Sequence, residues 1–456
     1  MALRTPVRST PATEARPRTV LAVAAAAPLL VLMAYSAPAA TLPQTAAGLA
    51  AGPIGQIWIL NGIALGLAAT LLTAGALADD QGRRRVFLAG TALLTVASAA
   101  CAAAPTTLVF VLARIVQGMS GAALLTASLG IIGHVFPAPE RVRATALWGA
   151  MIGAGLTAGP VLSGLLAEHG SWRTIYWLLA AGAVLLGAAA LPGLTESRAE
   201  RPQRVDLPGV TALALGLTAL LAAVTQGRTG WAQSSVMLLC AGAAVSLTSF
   251  VVVELRSAAP MLDLGLLRRP AFLAATLGAV VTGLVVIGPM SYVPTILMRT
   301  QGFGALPAAE TMASWTGVSV VSSIIAGRLR LPGRPQLAVA FTIGATGLLA
   351  LLGFGHDWSW PRAAASLVLI GVGSGLANAA LARLAVESVP AGRAGMGSGA
   401  NNTARYIGGS LGVAAAIAIA GSARNLADGA DTMLIVAAVV SLAGAALVLA
   451  LRDRGA

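Results

Sequence analysis

The feature that most constrains this chain is a succession of apolar runs, each about twenty residues long, broken by short polar punctuation. About twenty apolar residues are what an α-helix needs to cross a bilayer. On that rule spans fall near 20–40, 54–78, 86–104, 107–134, 143–166, 172–192, 207–225, 235–254, 271–297, 307–327, 336–355, 363–387, 400–421 and 432–451. Fourteen spans leave almost nothing for a soluble domain. Only 10% of the residues are charged, whereas a soluble domain carries about a quarter, and mean hydropathy is +0.84. The expectation is an all-α polytopic membrane protein.

The net charge of +13 rests on 29 basic residues, every one an arginine. They are scattered between apolar runs with no basic domain and no aromatic interleaving, which argues against nucleic acid as a partner. With both termini placed inside, the inner segments hold 22 arginines and the outer ones five, while Arg114 and Arg405 fall within spans. That asymmetry is the positive-inside pattern. Cys101 and Cys240 lie in separate runs, and His134, His169 and His356 sit far apart at helix ends. No metal, redox or His-based catalytic spacing results, so neither a cofactor nor an enzyme is expected. Residues 1–19, rich in Pro, Thr and Arg, read as a disordered cytoplasmic leader. The run from Val20 is too long and apolar for a signal peptide.

A charged, glycine-bounded turn stands between the second and third runs, from Gly75 to Arg85. Gly75 and Gly82 allow close backbone approach, Asp79 can cap a helix start, and Arg83, Arg84 and Arg85 stay in water. An internal repeat adds to this. Gly75 and Leu77 recur as Gly327 and Leu329, Ser120-Gly121 as Ser374-Gly375, and Pro137 before Arg141 as Pro390 before Arg393. The offset is nearly constant, as two homologous halves would leave it.

The string G-x-L-A-D-x-x-G-R-R resembles the loop between helices 2 and 3 of the major facilitator superfamily, with Asp80 where that family usually has a basic residue. The resemblance implies two six-helix halves, 20–192 and 271–451, around a central cavity. Residues 193–206 form a charged linker, and 207–254 form two additional central helices. That arrangement is similar to the fourteen-helix drug:proton antiporter group. Ser171-Trp172-Arg173 and Asn401-Asn402-Thr403-Ala404-Arg405 also belong to the resemblance. It implies a monomer in a bacterial (actinobacterial) cytoplasmic membrane, with protons and small lipophilic compounds as partners.

Arg114 lies roughly 10 Å inside its span. A charge at that depth costs about 2.5–3.5 kcal/mol, so it should face a wet cavity or a partner, with Gln117 on the same face. R-x-x-Q-G matches the family's fourth-helix motif, whose arginine the resemblance implicates in proton coupling. Gly155, Gly159, Pro160 and Gly164 match the family's antiporter motif; glycines four apart allow tight helix packing, and the proline should bend the helix. Gly75, Asp79, Gly82 and Arg83 are implied to form a conformational switch, with Asp79 facing the helix that starts near Asn401. At the family's first-helix Asp and Asn positions, however, stand Ala34 and Ala39. The acid nearest membrane depth is Glu310, a candidate proton carrier. Asn61, Ser120, Asn378, Tyr292 and Trp315 are candidate cavity groups. A cavity so sparsely polar suits lipophilic cations or neutral molecules. These features imply an exporter of hydrophobic drugs or secondary metabolites working by alternating access. The alternative is a metabolite uniporter or importer without proton coupling.

Overall fold

The computed structural model describes residues 17–198, 206–226, 233–257, 264–326, 331–389 and 394–451. Across these residues the chain is helical, with no strand. The helices are α1 (Pro17–Ser36), α2 (Leu42–Gly48), α3 (Pro53–Gln81), α4 (Arg83–Ala103), α5 (Thr107–Val135), α6 (Ala138–Glu168), α7 (Thr174–Gly193), α8 (Leu207–Gln226) and α9 (Ser234–Arg256). They continue as α10 (Pro270–Thr282), α11 (Gly288–Thr300), α12 (Ala305–Ala326), α13 (Gly333–Ala350), α14 (Trp360–Glu387), α15 (Ala394–Ser422) and α16 (Leu426–Ala450). Among the described residues eleven segments are long and apolar enough to cross a membrane, α10 and α11 together making one of them. The other three expected runs fall on α8, α12 and α13, which are helical but do not reach that threshold. Leu108, Leu185, Leu215, Leu238 and Val439 are among many large apolar side chains on the outside. So broad an exposed apolar surface needs lipid to cover it.

One packing scheme occurs twice. In the first six-helix set α3 and α4 both pack on α5, α4 also packs on α7, and α1 packs on α6. In the second, α12 and α13 pack on α14, α13 packs on α16, and α10–α11 packs on α15. The sets meet along α3–α15 and α6–α12, contacts that the repeat makes equivalent. Helices α8 and α9 pair with each other, and α8 lies against both α3 and α15. Leu217 and Leu221 of α8 there fill the seam against Leu65 and Ile407, leaving a cavity of about 10 Å³, room for about one water.

The first helix of each set is interrupted near a proline. After α1 the chain tightens into a 3₁₀ turn, Ala37–Ala39, containing Pro38. Between α10 and α11 it widens into a π-helical segment, Gly283–Ile287. Pro289 has no N–H to give and its ring crowds the carbonyl four residues back. The widened turn accommodates it, with the Gly288 N–H bonded to the Gly283 carbonyl. A bulge of this kind is a frequent mark of a working segment.

The expected charged turn is shorter than the sequence implied. Helix α3 continues to Gln81, and the reversal is made by Gly82 alone, at φ +115°, a conformation open chiefly to glycine. Asp79 therefore sits in the last turn of α3 and does not cap a following helix; the N-cap of α4 is Gly82. The expected leader is also shorter, since Pro17, Arg18 and Thr19 are already helical.

Candidate functional site

The geometry centres on Arg114, the eighth residue of α5, whose side chain is fully buried. Pro38 cannot donate a hydrogen bond, so the carbonyl of Ala34, four residues earlier, has no helical partner. Arg114 fills that vacancy. Its Nη1 donates to the Ala34 carbonyl at 2.6 Å and to Gln117 Oε1 at 2.9 Å, and its Nη2 donates to the Tyr35 carbonyl at 3.3 Å. Gln117 Nε2 in turn donates to Ser98 Oγ of α4 at 2.8 Å, and the Cys101 thiol lies 3.6 Å from Gln117 Oε1. One arginine and one glutamine thus tie α1, α4 and α5 together. Where the family pattern would place a first-helix carboxylate, this chain offers a carbonyl oxygen freed by a proline.

A second arginine faces this one across the seam. Arg405 of α15 donates to Asn402 Oδ1 at 2.7 Å and to Asn378 Oδ1 of α14 at 3.3 Å. Its guanidinium stands 5.8 Å from the centre of the Tyr406 ring, and that ring meets Tyr35 of α1 at 5.8 Å, tilted by 50°. The Tyr35 hydroxyl lies over Gly409, where a Cβ would be 3.7 Å away. The path Arg114–Tyr35–Tyr406–Arg405 therefore crosses from one set to the other. Sequence reasoning singled out Asn378 here but not Tyr35, Tyr406 or Arg405. The available signal was that Arg405, like Arg114, lies inside a span away from its ends.

The other candidates divide. Asn61 Nδ2 donates to the Ser410 carbonyl at 3.0 Å and so joins α3 to α15. Trp315 Nε1 donates to Ser374 Oγ at 3.0 Å, joining α12 to α14. Ser120 bonds back to the Gln117 carbonyl of its own helix at 2.7 Å, and Tyr292 is buried in α11. Glu310 stands apart, exposed in the second turn of α12 and in contact with neither Arg114 nor Gln117.

The glycine string of α6 serves two neighbours. Gly155 and Gly159 let α1 approach; a Cβ at Gly155 would come within 2.5 Å of the Leu29 carbonyl oxygen. Gly164 faces the other set, where a Cβ would meet the Ala305 carbonyl oxygen of α12 at 2.8 Å. Helix α6 continues unbroken through Pro160, and Ser163 Oγ donates to the Ala37 carbonyl at 2.7 Å.

At the α3–α4 turn, Gly75 lies 3.8 Å from the Thr126 side chain of α5, measured from the Cβ position. The Arg83 side chain passes over Gly130. The Asp79 side chain, expected to face the helix that starts near Asn401, falls outside the described side chains. Asn401 donates to the Ala275 carbonyl of α10 at 3.1 Å. A residue that the sequence reading passed over organises the turn. Glu196 Oε1 accepts from the Arg84 backbone N–H at 3.1 Å, and Oε2 lies 3.7 Å from Arg85 Nε. Its carboxylate presses on Gly82, so the segment after α7 caps the start of α4.

The profile of the Major Facilitator Superfamily matches residues 24–413, which takes in most of α1, the Arg114 network and the Arg405 cluster. The chain belongs to the major facilitator superfamily. Among its relatives, the multidrug resistance protein Stp of Mycobacterium tuberculosis is 33% identical over 82% of this chain and 70% of its own. The tetracenomycin C resistance and export protein of Streptomyces glaucescens is 29% identical, over 90% and 77% respectively. The multidrug efflux pump LfrA of Mycolicibacterium smegmatis is 31% identical over 89% and 81%. The superfamily is one of membrane transporters of small molecules.

Proposed function

We propose that this chain exports lipophilic small molecules from the bacterial cytoplasm by alternating access, with fourteen spans, both termini inside and a monomer as the working unit. The relatives' efflux and resistance names support the direction. The observation that carries the mechanism is the buried Arg114, bound to open carbonyls at the broken end of α1. Rocking the sets must either preserve those bonds or exchange them, because an orphaned buried cation is costly.

Hydrogen bonds between the sets gather at the ends and middles of the helices on the side where α1 ends. Glu168 Oε1 accepts from the Leu306 N–H at 2.9 Å, and Arg299 donates to Gln56 Oε1 at 3.1 Å. Thr157 and Thr316 hydroxyls meet at 2.8 Å. In this reading that side is the outer one, closed here, and Asp79 latches the opposite side in the other state. Proton antiport is the coupling expected of such an exporter, with Arg114 and Gln117 responding to it and Glu310 as carrier. A second reading, an uncoupled uniporter or importer, is favoured by one observation. Among the described residues no acidic side chain bonds to Arg114.

Everted membrane vesicles test the proposal. Inward accumulation of lipophilic dyes on energisation, with alkalinisation of an acid lumen, is the result expected of an antiporting exporter. Accumulation indifferent to the pH gradient would favour the uncoupled carrier, and no movement in any condition would overturn the transport reading.

A further inference from the structure

The exporter reading, on which this inference rests, leaves the charge of the substrate open, and the interior of the protein bears on it directly. Among the described residues no Asp or Glu falls in the middle third of a membrane helix; Glu310 and Asp431 come nearest, each the sixth residue of its helix. Arg405 does fall in the middle third of α15, the twelfth of its 29 residues. Arg114 is eighth of 29 in α5.

The hydrogen bonds described for the two guanidinium groups go to neutral oxygens, among them the Ala34 and Tyr35 carbonyls and the Gln117, Asn378 and Asn402 amides. The Nε of each is buried with no acceptor. Neutral dipoles orient a cation but do not cancel its charge. Two unit charges with no counter-ion among the described residues make the seam between the sets a region of positive potential in a medium that screens poorly. A cationic substrate would be repelled there. An anion would supply what the fold omits.

The surroundings give the rest of the substrate its character. Tyr35 and Tyr406 present tilted rings between the arginines, suited to edge or offset contact with another aromatic group. Tyr35, Asn378, Asn402 and Arg405 are only partly buried although they belong to helices of the bundle interior, while Tyr406 behind them is buried.

We propose that the substrates are lipophilic aromatic anions, carboxylates or phenolates, whose charge is taken up by Arg405 and whose ring system rests against Tyr35 and Tyr406. Arg114 contributes the second positive charge while holding α1. For such a substrate the inside-negative membrane potential itself favours outward movement. No carboxylate in the middle of a described membrane helix is then needed to carry a proton, and for such a substrate Glu310 is not required as carrier.

Two dyes of one ring size and opposite charge separate the possibilities: fluorescein, an anion at neutral pH, and rhodamine 6G, a cation. The full chain, purified and checked for a monodisperse elution peak, is tested for dye binding by fluorescence anisotropy and for dye movement in proteoliposomes under an imposed potassium diffusion potential. Wild type should bind and move fluorescein, faster when the potential favours the anion. Arg405→Gln should weaken fluorescein binding at least tenfold, and Arg405→Lys should restore part of it, which a purely structural role would not produce. Rhodamine 6G moved as fast as fluorescein, or fluorescein binding unchanged in Arg405→Gln, overturns the anion proposal and leaves the transporter reading intact. Failure of both dyes to move overturns both.

Discussion

In α5 the eighth residue is Arg114 and the eleventh Gln117; in α14, its counterpart in the repeated packing scheme, the same places hold Leu367 and Ile370. All four side chains are buried, yet one pair is a hydrogen-bonded polar centre and the other is ordinary core. The helices beside them differ to match. The break after α1 leaves carbonyls open, and a cation occupies them. The break between α10 and α11 closes on itself as a π-turn backed by glycines of α15: a Cβ at Gly412 would come within 2.6 Å of the Leu284 carbonyl oxygen. The same device, a helix interrupted at proline, thus serves as a charged anchor in the first set and as a tightly packed joint in the second. Duplication supplied the frame, and side-chain chemistry divided the labour.

Three substitutions bear on that division. Gly412→Val forces a branched side chain into the joint where no space exists. Overpacking costs about 1–3 kcal/mol even in yielding cores, and here backbone is the obstacle, so loss of most folded protein is expected on size-exclusion chromatography. A wild-type yield and elution profile would mean the joint is looser than described. Gln117→Leu makes the first set resemble the second. It removes an acceptor from Arg114 and a donor from Ser98, at about 1–3 kcal/mol, read as a lower thermal midpoint together with roughly tenfold slower transport. An unchanged rate would show that Arg114 works without its amide partner. Glu196→Gln touches only the cap of α4. Weakening a charged acceptor at a helix start should cost about 0.5–1 kcal/mol and leave substrate affinity alone; a change in affinity would place the turn closer to the substrate path than the fold does.

Much of the frame could be read from the apolar runs, because the bilayer dictates helix length and the backbone leaves no alternative. Arg114 and Gln117 were legible for the same reason: a charge at membrane depth needs a partner. Their actual partners were not. That Pro38 frees the Ala34 carbonyl is a local rule, but that α5 brings a guanidinium to it is a matter of tertiary packing. The turn at Gly82 was read too long, since Asp79, Asp80 and Gln81 look like loop residues and α3 extends beyond the apolar run to include them. Glu196 was passed over because it is more than a hundred residues from the turn it caps. Tyr35 and Tyr406 were missed because aromatic residues in apolar runs carry no signal until two helices from different sets meet.

The most direct test compares Arg114→Met with Leu367→Met, two substitutions at equivalent places with a side chain each site can hold. Initial transport rates in everted vesicles, scaled to the amount of folded protein, should fall at least a hundredfold for the first and stay within twofold of wild type for the second. Equal rates in the two variants would contradict the account, because the buried arginine would then be no more than a costly element of packing.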